Sequence, residues 1–217
     1  MSRIAIIGGH GKVALELARI LTSTGHQVSS LFRNPDHAAE VSASGATPVV
    51  ADIEHLSTPE LASRIRGHDA VVFAAGAGGG SAERTYSVDR DAAIRSMDAA
   101  LSARVSRYVM ISYFGAKPDH GVPEDNSFFP YAESKAAADS HLAHTDLTWT
   151  ILAPSTLTTA EGTGQIETGP DLTPTKVARQ DVARVAAVVL DRPNTAGKVI
   201  RFNNGSTPID QALDGTN

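Results

Sequence analysis

The sequence predicts an α/β fold: a doubly wound parallel sheet of about seven strands with helices on both faces. Three observations predict it. Short β-rich runs alternate with helix-like segments along the whole chain, and such alternation implies right-handed βαβ crossovers. The first and fourth strand-like runs are strongly apolar and run straight into glycines, as strands buried on both faces do. The chain has 217 residues, 41% hydrophobic and 20% charged, which predicts a single domain over residues 1–217.

Each element has its own justification. Arg3–Ile7 is a short apolar run ending in glycines, a buried strand. Lys12–Thr24 sets Val13, Leu17 and Leu21 at i, i+4 and i+8, an amphipathic helix that Gly25 stops. Gln27–Phe32 and Thr47–Ala51 read as strands two and three, with a short helix Asp36–Ser44 between them, closed by Gly45. Pro59–Arg66 is a short helix ended by Gly67, and Asp69–Ala75 the fourth strand. Ser87–Ala103 repeats the helical spacing through Ala92, Ile94, Met97 and Leu101. Arg107–Ser112, Leu147–Leu152 and Lys198–Phe202 complete the strands; Tyr131–His144 and Asp181–Leu190 complete the helices. Two stretches break the rhythm. Residues 115–130 carry Pro118, Pro123 and Pro130, and residues 155–175 are rich in Thr, Gly and Pro. Both follow strands, so both are expected at the carboxyl edge of the sheet, where such folds bind ligands.

Composition excludes several functions. Cysteine is absent, which removes disulfide scaffolds, cysteine nucleophiles and thiolate metal sites. Net charge is −5, against a general polyanion binder, so no nucleic-acid partner is expected. No apolar run approaches the roughly 20 residues of a membrane span, and the N-terminus enters a strand without a signal-like apolar region. A cytoplasmic protein with a small-molecule substrate, monomeric or homodimeric, is the expectation. Glycine numbers 18 and aromatics are only 5%, so close backbone approaches are expected somewhere.

The first of these follows strand one. Gly8-Gly9-His10-Gly11-Lys12-Val13-Ala14 has G-x-x-G-x-x-A spacing between a strand and a helix. Gly8 permits the turn, Gly11 lets backbone approach a pyrophosphate, and Ala14 keeps helix near strand. The helix start then offers free N–H groups to the anion. His10 reads as a loop side chain rather than a base. Strand two ends Leu31-Phe32-Arg33-Asn34-Pro35, with no acid to take a ribose hydroxyl. Arg33 offers a charged fork to a 2′-phosphate, so NADP(H) is expected in preference to NAD(H). Asp52 and Ile53 are placed to meet adenine, and Ala74, Ala75 and Gly76 form a further small-residue passage beside the cofactor.

Tyr131 and Lys135 lie at i and i+4 at the start of a helix. An ammonium beside a phenol lowers its pKa and suits proton transfer; Lys135 is also a candidate to hold the nicotinamide ribose. Ser112, 19 residues before Tyr131 at a strand end, is a candidate to orient a substrate carbonyl.

Together these residues make the chain resemble the short-chain dehydrogenase/reductase superfamily, over nearly its whole length. It is most similar to the compact atypical branch, whose members are described as NAD(P)H-binding or NAD-dependent epimerase/dehydratase-like. Further motifs carrying the resemblance are Val88-Asp89-Arg90-Asp91 and Gln180-Asp181-Val182-Ala183. The resemblance implies a Rossmann-type sheet of strand order 3-2-1-4-5-6-7 with NADP across its carboxyl edge. It implies Asp89 at the tetrad position that is asparagine elsewhere in the superfamily, supporting Tyr131, Lys135 and Ser112. It also implies that the backbone of Pro154, Ser155, Thr156 and Leu157 passes the nicotinamide amide. Ala153 stands where many relatives have arginine, and the chain lacks the long C-terminal substrate domain of sugar-nucleotide epimerases.

The function expected is therefore an NADP(H)-dependent oxidoreductase of a small carbonyl or alcohol. A protein that binds NADP(H) to sense redox state without turnover is one alternative; a small NAD(P)-dependent epimerase or dehydratase is another. His141 and His144, with Asp139 and Asp146 nearby, read as a solvated helix end, and no metal site is expected. Asp119, His120, Glu124 and Asp125 read as a solvated loop surface. Phe128 and Phe129 serve either an apolar pocket or loop anchoring.

Overall fold

Residues Ile4–Ile7 are wholly buried because their strand, β1 (Arg3–Ile7), is covered on both faces. Their alternation divides the core: Ile4 and Ile6 join one cluster, Ala5 and Ile7 the other. The structure is a computed structural model that describes residues 1–79, 81–169 and 171–215; residues 80, 170 and 216–217 of the expected domain, with 170 inside the second loop, lie outside the described residues.

Six further strands continue the main sheet as the sequence predicts. They are β2 (Gln27–Phe32), β3 (Thr47–Val50), β4 (Ala70–Phe73), β5 (Arg107–Ile111), β6 (Thr148–Pro154) and a late strand, β10 (Lys198–Asn204). All are parallel neighbours in the order β3-β2-β1-β4-β5-β6-β10, which is the expected 3-2-1-4-5-6-7. The order reverses beside β1, and the carboxyl ends of β1 and β4 open a crevice there.

Among the described residues the sheet has nine strands rather than seven. β8 (Gln165–Thr168) and β11 (Thr207–Pro208) extend it antiparallel beyond β10. β7 (Thr156–Thr158) pairs with β9 (Lys176–Ala178) in a separate two-stranded sheet. Much of this comes from residues 155–175, where strands of three or four residues are too short to show periodicity.

Helices α1 (Lys12–Ser23) and α7 (Arg179–Leu190) pack together on one face. α3 (Thr58–Ile65), α5 (Ala93–Ala103) and α6 (Phe129–Ala143) cover the other. Buried alanines line α5 (Ala93, Ala99, Ala100, Ala103) and α6 (Ala132, Ala136, Ala138), so the small-residue excess also sets close helix packing. Two short helices, α2 (Ala38–Ala43) and α8 (Ile209–Asp214), lie at the edges. The expected helix Ser87–Ala103 is compound: α4 (Ala82–Thr85) leads through a π-helical segment, Tyr86–Ala92, into α5. π turns are rare and cluster at functional sites; this one carries Asp89.

Candidate active site

The glycine loop begins where β1 ends. Gly8 has φ +86°, and its N–H and that of Gly9 both donate to the Leu31 carbonyl, at 3.0 and 2.8 Å. A Cβ on Gly8 would lie 2.5 Å from the Ala75 backbone, and one on Gly9 2.4 Å from the Ser30 Cβ. Only glycine satisfies both the dihedral and the space. Gly11 then caps α1 with no side-chain acceptor, and the first turn of α1 holds no acid. Its N–H groups are left for an anion.

The loop borders a cleft of about 310 Å³. Gly8, His10 and Gly11 form one wall, Ala74, Ala75 and Gly76 another. Arg33 and Asn34 from the end of β2, and Asp52 and Ile53 after β3, close the far end. Asn34 Oδ1 accepts the Asp36 N–H and fixes the turn after β2. Asp52 Oδ1 likewise accepts the Glu54 N–H. The His10 ring stacks on His37 with centroids 3.6 Å apart and meets Glu40 at 2.7 Å. Glycines that a Cβ would fill, an uncapped helix start and a cleft reaching past β2 and β3 all fit a dinucleotide.

The other residues expected at the cofactor do not line this cleft. Lys12 faces a neighbouring cleft shared with Glu40 and Arg179. Gly9 is pressed against Ser30, and Val13 is in the core. Pro154 and Ser155 are buried at the end of β6; the Ser155 hydroxyl donates to Asn203 and accepts the Thr175 N–H. Thr156 is exposed, and Leu157 packs on the core beneath α7.

Sequence reasoning missed two charged residues of the cleft. Glu54, only 15% exposed, accepts from Arg33 at 2.8 Å and from Arg84 at 3.1 Å. Arg84 also donates to the Ala77 carbonyl. Two guanidiniums thus share one carboxylate. Glu54 follows Asp52 closely enough to have been noticed; nothing in the sequence brings α4 and Arg84 to this cleft.

The candidate reactive group lies on α6. Tyr131, Lys135 and Asp139 occupy successive turns of one face. Lys135 is 1% exposed and its Nζ donates to the Ile111 carbonyl at 2.8 Å. Ser112, the residue after β5, donates to Asp139 Oδ2 at 2.5 Å, while Asp139 Oδ1 is buried with no hydrogen-bond partner among the described residues. Burial pushes the Asp139 carboxyl up to about 6, opposed by the Lys135 charge and the Ser112 bond. Asp89, also 1% exposed, accepts the Ala77 N–H at 2.9 Å, and burial raises its pKa too. Lys135 is lowered by burial, and Asp139 and Asp89 oppose that.

One expectation is corrected here. Lys135 was expected to lower the Tyr131 pKa, but the Tyr131 phenol is raised by burial and by the charges of Asp89 and Asp139. The ammonium is committed to the Ile111 carbonyl, and burial of the phenol itself is the largest cause of the rise. Asp139, expected at a solvated helix end with His141, instead has a buried carboxyl and belongs to this group; continuing the Tyr-x-x-x-Lys spacing one more turn points to it.

A second cavity, of about 560 Å³, is lined by Ala77, the residue after Gly76 of the cleft, and by Tyr131, Asp89 and Phe128 among others. Phe128 both lines it and packs on Tyr113 and Tyr131, with ring centroids 5.5 and 5.2 Å away. His120, expected at a solvated surface, is instead a largely buried side chain paired with Glu133 at 3.2 Å. Residues 155–175 are anchored as well: Asp181 accepts the N–H groups of Thr163 and Gly164 at 2.9 Å, and Gln180 that of Gly162 at 2.8 Å. His141 pairs with Asp98, and His144 with the Ser140 carbonyl. No group of three His, Cys, Asp or Glu that could hold a metal occurs among the described residues, and no helix among them is long and apolar enough to cross a membrane.

Residues 8–193 match the family described as NAD(P)H-binding. Over 97% of this chain and 98% of its own length, the Bacillus subtilis protein named uncharacterized sugar epimerase YhfK is 32% identical. A solved structure from Bacillus halodurans, provisionally named an NAD-dependent epimerase/dehydratase, is 31% identical with a TM-score of 0.91 over 99% of both chains. The structure of the oxidoreductase ylbE from Lactococcus lactis is 29% identical with a TM-score of 0.88, over 99% of this chain and 96% of that one.

Proposed function

Because this chain belongs to the NAD(P)H-binding family of atypical short-chain dehydrogenase/reductase-like proteins, we propose that it is an NADP(H)-dependent oxidoreductase acting on a small carbonyl or alcohol. The observation that carries the reading is the Tyr131–Lys135–Asp139 face of α6 with Ser112 against it, one residue passage away from the glycine-loop cleft. Gly8, Gly11 and the start of α1 would hold the pyrophosphate, and a bound nicotinamide dinucleotide supplies or accepts the hydride. The preference for NADP(H) rests on charge: Arg33 and Arg84 face the cleft with only Glu54 shared between them, and a 2′-phosphate supplies the missing negative charge.

Each side chain has a task. The raised pKa keeps the Tyr131 phenol protonated near neutrality, so it donates to the substrate oxygen as a carbonyl is reduced. The buried Lys135 ammonium, held on the Ile111 carbonyl, offsets the charges of Asp139 and Asp89 beside Tyr131. With Asp139 ionised, Ser112 gives its hydrogen to Asp139 and presents only lone pairs. With Asp139 protonated, the hydrogen of Ser112 is free for the substrate oxygen. Asp89 holds the Ala77 N–H and so shapes the wall between cleft and cavity. On the same reading the site's partner is a small molecule, not nucleic acid or membrane, and the protein works in the cytoplasm as a monomer or homodimer.

The test is NADPH oxidation with a carbonyl panel. Tyr131→Phe should lower the rate by about 10²–10⁴-fold with NADPH binding intact; an unchanged rate overturns the assignment. The names of the epimerase-like relatives favour a second reading, in which hydride returns to the substrate. Dinucleotide retained through purification, with substrate inverted and no net NADPH consumed, would select it.

A further inference from the structure

We infer that the cavity beside Tyr131 takes an uncharged substrate with a flat apolar body, an aromatic or conjugated carbonyl compound, and rejects carboxylates, phosphates and polyols. The inference rests on the oxidoreductase reading for what happens to the carbonyl, but not for what binds.

Shape comes first. The cavity lies between the segment after β4 and the loop of residues 115–130. Gly78 and Gly79 form part of its wall, and a Cβ on either would meet nothing within 4 Å, so that wall is open to a ligand. Opposite stand Phe128, Pro130 and the Tyr131 ring. Tyr113 backs them, its centroid 5.4 Å from that of Tyr131. Phe128 is 43% exposed, a large aromatic surface left uncovered at the cavity mouth. Such a surface is complementary to another flat apolar group.

Charge points the same way. Apart from Tyr131, the ionisable residues lining the cavity are Asp89 and Glu124, and its described lining contains no Lys, Arg or His. Arg84 is turned to Glu54 and the Ala77 carbonyl, on the cofactor side. Lys135 is enclosed, and Arg90 is held by Asp91 over the Tyr86 ring. An anionic substrate would therefore meet two carboxylates and no cation.

Part of the polar lining is already engaged. Thr85 donates to the Ser81 carbonyl, Asn126 Oδ1 accepts the Phe128 N–H at 2.9 Å, and Asp89 Oδ2 holds the Ala77 N–H. A polyol brings no apolar surface to match Phe128, Pro130 and the Tyr131 ring, so it gains little on leaving water.

The experiment is equilibrium binding to the purified protein, with and without NADP+, followed by calorimetry. The probes are 2-acetylnaphthalene, its carboxylate-bearing counterpart 2-naphthylglyoxylate, and glyceraldehyde. The ketone should bind at least about tenfold more tightly than either competitor. Phe128→Ala should weaken the ketone by about tenfold, and Glu124→Lys should narrow the gap to the glyoxylate. Both side chains are exposed, so neither change threatens folding. Equal or tighter binding of glyoxylate or glyceraldehyde, or no binding of the ketone, overturns the proposal. Ketone binding weakened by Phe128→Ala, without NADPH consumption, upholds the cavity assignment and instead defeats the oxidoreductase reading.

Discussion

At the scale of the residue, Asp139 sets the terms for its neighbours. Its carboxyl is raised to about 6, so it gains a proton as pH falls through that value and frees the Ser112 hydroxyl to face the substrate. Carbonyl reduction should therefore fall as pH rises through about 6, and Asp139→Asn should flatten that step in a kcat–pH profile; a step unchanged in the variant contradicts the role. Linkage gives a second readout. The folded protein holds this proton more tightly than the unfolded chain, so the contribution is full below the unfolded value of about 4 and is lost as pH rises to about 6. Denaturant midpoints of parent and variant should converge or diverge across that window, the parent losing ground as pH rises. Tyr131, Lys135 and Ser112 were legible because their types and spacing carry the chemistry. Asp139 was read only as part of a solvated helix end, and the reversal of the Tyr131 shift was not readable at all, since it depends first on how deeply the phenol itself is buried.

At the scale of the element, residues 163–164 are held by a carboxylate at the start of α7. Asp181, in the first turn of α7, accepts two loop N–H groups and an Arg184 ion pair at 2.8 Å while itself wholly buried. Asp181→Ala should cost about 3 kcal/mol, seen as a lower thermal midpoint, because it orphans two N–H groups and a guanidinium; a change within about 0.5 kcal/mol would mean the loop is held otherwise. Gly8→Ala is a second test. Its φ of +86° and the 2.5 Å approach to Ala75 predict both reduced stability and loss of dinucleotide binding. An alanine variant that binds NADPH normally would remove the glycine loop from the site. Long strands and helices were legible because they repeat a period. The pairs β7–β9 and β8–β11 were not, because two to four residues of Thr-rich chain contain no period to read. The π turn escaped for a different reason: one extra residue per turn leaves no trace in the spacing of Ala92, Ile94, Met97 and Leu101.

At the scale of the whole molecule, one sheet serves both halves of the site. Glycines and alanines at the ends of β1 and β4 open the cleft, and alanines under α5 and α6 draw the reactive helix close to it. The strand order was legible through the family resemblance, while the alternation of strands and helices alone gave only a parallel sheet covered on both faces. The cofactor's identity was read from Arg33 alone, and the fold adds the partners that make the reading testable: Arg84 beside it and Glu54 between them. The most direct test is a calorimetric titration of the protein with NADPH and NADH, repeated on Arg33→Ala. NADPH should bind roughly 10- to 100-fold more tightly, the worth of one or two charge-assisted hydrogen bonds, and Arg33→Ala should remove most of that gap. Equal affinity for the two dinucleotides in the parent, or a gap that survives Arg33→Ala and Arg84→Ala together, would contradict the account.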